Sequence, residues 1–533
     1  MSCQEKTMDY KKPKRFFENS GLVDPRASYY VQLENVTNMD NQDLKTMVDL
    51  GRYFSIFAPR QSGKTTFFQG ICRELENDPL YVPILLSFQI YKNVSGQRFY
   101  QSIQKSINKQ LISRLELVGC PQLDAIKSYL GSHVLSDDIS FRELFDELNG
   151  MLKQKKIVIF IDEFDGIPRD ELENFLTTLR ELYQEYKKSN NKALYSVGLV
   201  GIRNITKLIV GGVSPFNIAD QVALPPFSIK NVQDLYAQYT EETNQPFTDE
   251  AIEAVYTETA GQPWLVNRLG TILTVDIKPE TTEPITQKDA AKAIEVLLFE
   301  ENSHFDNITE KAREYKETFI DVVFNGVEYI PGVEEQSLLL THGLIKAIGK
   351  GIRVSNPIYR KRFTKTFFRD AQATIDISDK GYFTADGCLN METIISDFEE
   401  YIMQIGVNAF YAGQKPYEKT GQFLLTAWLY QFVEGGKGDL RFETPTGLGR
   451  MDILITYDGR KYIIETKVNR SNIEKTVERA TDQLCEKYLL TEQSDEGCVV
   501  VFDTKARTGE LLTPQKKEVA GKQLLIFRIA IGR

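Results

Sequence analysis

The stretch YFSIFAPRQSGKTTFFQGICREL, Tyr53 to Leu75, admits few folds. Tyr53 to Phe57 is a short apolar run that reads as a strand, Ala58 to Thr65 is a tight loop, and the remainder has helical apolar spacing. The loop APRQSGKT matches the phosphate-binding template G-x-x-x-x-G-K-[ST], with Ala58 in place of the first glycine. Ala58, Pro59, Arg60, Gln61, Ser62, Gly63 and Thr66 are therefore candidate nucleotide-binding positions, because the loop's successive N–H groups and the helix N-terminus cradle phosphate oxygens. Lys64 reaches the terminal phosphates, and Thr65 offers its hydroxyl to Mg²⁺.

The following segments fit a wound parallel sheet. A second strand, YVPILLSF, precedes KKIVIFIDEFDGI, whose apolar run Ile157 to Ile161 ends in Asp162-Glu163. Such runs suit parallel strands buried on both faces, with chemistry at their carboxyl ends. Asp162 can hold the magnesium ion through water and Glu163 can polarise an attacking water, while Asp165 reads as a solvated loop or capping residue. Leu194 to Gly201 and Gln221 to Ser228 supply two more strands, making five. Arg203, after the fourth strand, is either a phosphate sensor or a surface arginine at a strand end. NVQDLYAQYTEET and DEAIEAVYTETAG then read as helices leading to GQPWLVNRLGTIL.

With 533 residues the chain needs two to four domains. Its net charge of −10 does not attract nucleic acid on average, so such contact requires a local basic patch. One exists: Lys346, Lys350, Arg353, Arg360, Lys361, Arg362, Lys365 and Arg369 crowd the stretch that starts SLLLTHGLIKAIGKGIRV. That patch either meets phosphate backbones or is a solvated face packed on the preceding domain. Six scattered cysteines without a CxxC pair, and three histidines far apart, indicate neither zinc nor a disulfide framework. The N-terminus lacks a signal-peptide core and no apolar run has membrane-span length, so the expectation is a cytoplasmic protein without a membrane partner.

Near the C-terminus, GRMDILITYDGRKYIIETK reads as two strands joined by Asp458-Gly459, a type I′ hairpin dipeptide. That turn sets Tyr457 opposite Arg460, Ile455 opposite Tyr462, Ile453 opposite Ile464 and Asp452 opposite Glu465. Opposed side chains have Cβ atoms about 4.5–5.5 Å apart, where like charges repel. Alternation puts Arg450, Asp452, Ile463, Glu465 and Lys467 on one face, expected to look outward or into a cleft, and Met451, Ile453, Ile455, Tyr457, Tyr462, Ile464 and Val468 on a core face. A divalent cation, Mg²⁺ where carboxylates meet phosphates, would reconcile Asp452 with Glu465. Lys467 alongside could orient water or stabilise charge on phosphorus, so the constellation suggests metal-dependent phosphodiester hydrolysis; the alternative is an ordinary charged hairpin face.

In order, APRQSGKT, IVIFIDEFD, SPFNIADQVALPPFS and GQPWLVNRL resemble the STAND and archaeal-type ATPases of the AAA-like P-loop class. That resemblance implies ATP and Mg²⁺ as cofactors and a helical lid whose Gly-x-Pro, here Gly261 and Pro263, lies against the nucleotide base. The basic stretch resembles the winged-helix module that often follows such ATPases. Asp452, Glu465 and Lys467 resemble the PD-(D/E)XK nuclease superfamily, with YEKTGQFLLTAWLYQFV as first helix, DLRFETP as first strand, SNIEKTVERATDQLCEKYLL as second helix and GCVVVFD as last strand. The same resemblance makes Glu418 a further candidate acid and Gln483 a helix-borne candidate.

The expected fold class is α/β multidomain: a P-loop parallel-sheet ATPase with helical lid and winged helix, then a mixed-sheet α/β/α restriction-endonuclease-like domain. Expected boundaries are 1–20 for a tail, 21–230 for the ATPase core, 231–300 for the lid, 301–370 for the winged helix and 371–533 for the nuclease-like domain. The expected function is an ATP-controlled, Mg²⁺-dependent nuclease acting on DNA. Its rival is a STAND-type signalling switch with a non-catalytic binding module. Whether a protein partner or a homo-oligomer takes part stays open.

Overall fold

The computed structural model describes residues 9–33, 36–152, 154–189, 194–201, 218–325, 327–363, 381–405, 411–412, 415–416, 418–433, 438–446, 449–494, 496–507 and 512–532. Two compact units divide the chain: Met1–Val322 with Gly326–Lys361, and Val323–Asn325 with Arg362–Arg533. Among the described residues no helix is long and apolar enough to cross a membrane.

The first unit is built on β1 (Phe54–Phe57), α1 (Lys64–Glu76), β2 (Tyr81–Ser87), β3 (Lys156–Asp162), β4 (Leu194–Gly201) and β5 (Asp220–Ala223). The strands form one parallel sheet in the order β2-β3-β4-β1-β5. Ile157 to Ile161 are buried throughout, as a strand covered on both faces requires. Because β4 lies between β1 and β3, the loop after β1 and the acids after β3 open at the same end of the sheet. Gly198 of β4 lets two rings close over the strand: a Cβ there would lie 2.5 Å from Phe54 Cε2 and 2.9 Å from Phe160 Cδ1.

Three helices follow, α2 (Ile229–Thr243), α3 (Asp249–Thr259) and α4 (Pro263–Thr271). Ser228 and Asn231 cap α2 reciprocally, Thr248 caps α3, and Gln262 caps α4, which has Pro263 at its start. Then come α5 (Ser303–Glu314), α6 (Glu334–Thr341) and the antiparallel pair β6 (Ile345–Ile348) and β7 (Gly351–Val354), with Gly349 in the left-handed region at the turn. A further helical stretch begins at residue 357. Within the segment expected to be a tail, Phe17 is buried, with its ring 4.8 Å from that of Tyr29 and 5.4 Å from that of Tyr236. In the basic stretch, Lys361 pairs with Glu258 at 2.8 Å, while Lys365 and Arg369 lie outside the described residues.

The second unit contains α7 (Met391–Ile405), β8 (Tyr411–Ala412), β9 (Lys415–Pro416), α8 (Glu418–Val433), β10 (Gly438–Thr446), β11 (Gly449–Tyr457), β12 (Arg460–Asn469), α9 (Ile473–Gln483), β13 (Glu496–Arg507), β14 (Gln515–Val519) and β15 (Lys522–Gly532). Its mixed sheet has the order β10-β11-β12-β13-β15-β14. β10, β11 and β12 form an antiparallel meander, β12, β13 and β15 run parallel, and β14 returns antiparallel to β15. Asp458 at φ 46° and Gly459 at φ 76° make the hairpin turn, both positive as a type I′ turn requires.

Gly198→Ala is expected to destabilise the first unit by about 1–3 kcal/mol, because the added methyl must displace Phe54 or Phe160 inside a filled core. Chemical denaturation of parent and variant checks this.

Candidate functional site

The loop after β1 ends at Gly63, whose φ of 82° is a left-handed conformation that starts α1 with no Cβ in the way. Lys64 turns its ammonium back onto the loop, donating to the carbonyls of Ala58 at 2.6 Å and Pro59 at 2.7 Å. Ser62 Oγ also donates to the Pro59 carbonyl, at 2.8 Å. Burial pushes the Lys64 pKa down to about 8, against the opposing pull of Asp162, Asp165 and Glu163. Thr65 Oγ1 donates to Asp162 Oδ2 at 2.5 Å, and the Glu163 amide donates to Asp162 Oδ1 at 2.8 Å. The hydroxyl and carboxylate expected to serve Mg²⁺ thus touch across two elements, and the donor set fits that ion.

Glu163 stands at φ 49°, which turns the chain away directly after the strand. Its carboxyl is raised by desolvation and then by the charge of Asp162. Asp165, expected to be a solvated or capping residue, lies over the end of β4, where a Cβ on Gly201 would sit 2.7 Å from its Oδ2. Arg203 lies outside the described residues.

Gly261 has φ +73°, and a Cβ on it would be 1.9 Å from the Phe227 carbonyl oxygen, so only glycine fits. Its own carbonyl accepts the Phe227 amide at 2.8 Å, which fixes the helices relative to the segment after β5. Pro263 borders two cavities. One, of about 50 Å³, is walled mostly by apolar residues, among them Tyr29, Val31, Phe67 and Leu235. The other, of about 380 Å³, is more polar and includes Arg60, Gln61, Gln262, His304, His342 and Lys346.

Two groups here carry no signal in the sequence. The strip Tyr29 to Leu33 reaches the smaller cavity from a segment without regular structure. His304 is buried, stacked on Trp264 with centroids 4.2 Å apart and planes at 15°. Its Nδ1 contacts Gln61 Oε1, and its Nε2 is 2.7 Å from the Tyr359 hydroxyl. Burial pushes the imidazole pKa down to about 3, so the ring is neutral. With Gln61 Oε1 as acceptor, Nδ1 carries the proton and Nε2 accepts from Tyr359. The loop is thereby tied to α5 and to the helical stretch containing Tyr359.

In the second unit the register has Ile453 opposite Ile464, Ile455 opposite Tyr462 and Tyr457 opposite Arg460, and the ladder of β11 with β12 ends at the first of these pairs. Beyond it Asp452 Oδ2 accepts the Thr466 amide at 2.8 Å and the Thr466 hydroxyl at 2.9 Å, and Gln422 of α8 also bonds the carboxylate. Glu465, 0% exposed, takes the Lys467 ammonium on Oε1 at 2.5 Å; the Lys467 side chain is 24% exposed. Desolvation raises the Asp452 carboxyl, opposed first by the charge of Lys467.

Two expectations need correction. The face carrying Ile463 and Glu465 does not look outward: Leu454 and Ile463 pack with Ala480, Leu484 and Tyr488, under α9 and the turn that follows it. Met451 joins that same cluster instead of siding with Ile453. Where the ladder ends the strict alternation fails, and Asp452 is bound from the α8 side. Gln483 Nε2 donates to the Tyr488 hydroxyl at 2.7 Å, and Tyr488 feels the charges of Glu465, Asp452 and Lys467, so the pair lies near these groups. Glu418 opens α8. Among the described residues no cluster of three His, Cys, Asp or Glu side chains could hold a metal ion.

A parallel five-stranded sheet with a Gly-Lys-Thr loop after one strand and an acidic pair after another defines a P-loop ATPase fold. The chain belongs to the AAA-like domain family, whose model matches residues 18–365. Residues 389–506 match a domain of unknown function, DUF8371. No curated protein matches the chain. Among solved structures it is similar to the Walker-type ATPase PABY2304 of Pyrococcus abyssi, at 14% identity over 62% of this chain and 98% of that one, with a TM-score of 0.42. It is also similar to the Thermotoga maritima RuvB Holliday junction branch migration motor, at 16% identity over 60% and 90%, with a TM-score of 0.32. A third is the Aeropyrum pernix Orc1 protein in complex with DNA, at 12% identity over 63% and 95%, with a TM-score of 0.31.

An ammonium attracts phosphate only when protonated, and a pKa of about 8 leaves Lys64 mostly charged at pH 7. ATP affinity, measured by calorimetric titration, is therefore expected to weaken by about tenfold between pH 7 and pH 9. His304→Phe keeps a ring against Trp264 but strands Gln61 and the buried Tyr359 hydroxyl. It is expected to cost about 1–3 kcal/mol in thermal denaturation.

Proposed function

We propose that this chain is an ATP-binding and ATP-hydrolysing switch controlling a Mg²⁺-dependent nuclease in its second unit, with DNA as substrate. The observation that carries the nuclease half is the convergence of Asp452, Glu465 and Lys467 from two strands with Gln483 and Tyr488 from the covering helix and turn. Asp452 and Glu465 would hold the ion, which supplies a hydroxide nucleophile and polarises the phosphoryl oxygen. Lys467 would stabilise charge growing on the phosphorus centre. Gln483 would orient Tyr488 near the acids through the hydrogen bond between them. Glu418 is the further acid this reading carries.

In the first unit, Lys64 and the loop N–H groups would take the phosphates, Thr65 and Asp162 the magnesium ion, and Glu163 the attacking water. Arg203 is carried as phosphate sensor. The apolar cavity bordered by Val31, Phe67, Leu235 and Pro263 suits the flat face of a base. The region 301–370 would serve as the winged helix, a lever answering ATP.

A second reading has an observation in its favour. Asp452 and Glu465 already have protein partners in Thr466 and Lys467, as they would in a nuclease fold that has become a non-catalytic module of a STAND-type switch. Supercoiled plasmid incubated with Mg²⁺, with and without ATP, separates the two. Nicking or linearisation is expected from the parent, and Glu465→Ala and Lys467→Ala should each reduce the rate on the order of 100-fold or more. Intact plasmid under every condition favours the second reading. Glu163→Gln is expected to retain ATP binding while losing turnover, measured as phosphate release.

A further inference from the structure

We propose that Arg528 is a phosphate-binding residue of the second unit, taking a backbone phosphate a few nucleotides from the one served by Lys467; this rests on the nuclease reading above and deepens it. β12 and β13 are parallel with Lys467 opposite Val501, and β13 and β15 are parallel with Val501 opposite Arg528. Directly paired residues leave a sheet on the same side, so Lys467, Val501 and Arg528 form one row on the face that carries Glu465. Two strand spacings part the outer members, roughly 10 Å between Cα atoms. Val501 between them is buried in the cluster with Ala480 and Leu484, so only the two ends of the row reach solvent, and their separation corresponds to about three nucleotides at about 3.4 Å each.

The next row sets the guanidinium. Asn469 is opposite Asp503, and Asp503 is 0% exposed. Its Oδ1 accepts Asn469 Nδ2 at 2.7 Å and the Lys505 amide at 2.9 Å, while Oδ2 takes Nε and Nη2 of Arg528, each at 2.5 Å. Four donors on one buried carboxylate hold the arginine in a single orientation. Of the five N–H groups of a guanidinium these contacts use two, and among the described residues the others have no hydrogen-bond partner. The Arg528 side chain is 38% exposed. Neutralising Asp503 does not require an open outer edge. A fork anchored on one side and wet on the other is suited to gripping an oxyanion.

Fluorescence anisotropy of a fluorescein-labelled single-stranded DNA, titrated with the full chain in Ca²⁺ over about 50–200 mM NaCl, tests the assignment. Arg528→Gln is expected to lower the magnitude of the slope of log K against log salt by about 0.7, one phosphate contact. Arg528→Lys keeps the charge and should keep the slope while binding more weakly. Asp503→Asn/Arg528→Gln removes both members of the buried pair, guards against a folding defect, and should share the slope of Arg528→Gln. Parent protein that binds and cuts DNA while both Gln variants retain its slope overturns the role of Arg528 and leaves the nuclease reading standing. Parent protein that neither binds nor cuts DNA removes that reading and this inference with it.

Discussion

Lys64 keeps a charge where most of its water has been stripped away, and the loop, the strand ends and the acids beyond them are arranged around that cost. Desolvation is what lowers its pKa, and the acids that resist the shift, Asp162 first, stand across the sheet end. Its ammonium meanwhile leans on two neutral carbonyls of its own loop. Carbonyls carry only partial charge, so phosphate oxygens would exchange weak partners for strong ones without asking the lysine to shed further water. Affinity for an anion is thus prepared by the very burial that makes the unliganded lysine easy to deprotonate.

The same loop is clasped from outside. Gln61, at φ 55°, offers its carbonyl to Gln262 Nε2 at 3.3 Å and its side chain to His304, and a Cβ on Gly343 would lie 2.3 Å from Pro59 Cγ. A change in the loop's shape therefore disturbs the cap of α4, the start of α5 and the turn after α6 together. Because His304 is neutral and bonded through both nitrogens, it transmits position and not charge.

Much of the architecture was legible because it rests on short-range rules. Of the parallel strands, β3 announces itself as an apolar run ending in Asp162-Glu163 and β4 as one ending in Gly201, and Asp458-Gly459 fixes the hairpin register through to Ile453 opposite Ile464. What was not legible depends on groups far apart in sequence. Phe17 finds Tyr236, and Gln61 finds His304, across more than two hundred residues with no local pattern to mark either meeting. β15 was not legible for another reason: LLIFRIAIG has apolar residues in plenty, and Ala520-Gly521 turns β14 into it, but nothing local marks its parallel partner β13. Alternation did not foresee that Met451 sides with Leu454 and Ile463, or that Asp452 takes the Thr466 amide where the pairing of β11 with β12 stops, although β11 stays paired with β10.

That substitution changes what the opposed acids mean. Repulsion between directly facing carboxylates seemed to demand a cation, yet each acid has its own remedy: Thr466 and Gln422 for Asp452, Lys467 for Glu465. The fold is therefore not held together by an ion, and an ion is not needed to explain the sequence. What still needs explaining is the cost of placing Glu465 at 0% exposure and Asp452 where desolvation raises its carboxyl, when a leucine in either place would be cheaper. A cation entering between them would compete with Lys467 for Glu465 and free that ammonium to face a phosphate. Those two buried charges are costs that packing alone does not offset, and they are what the proposed nuclease role would account for.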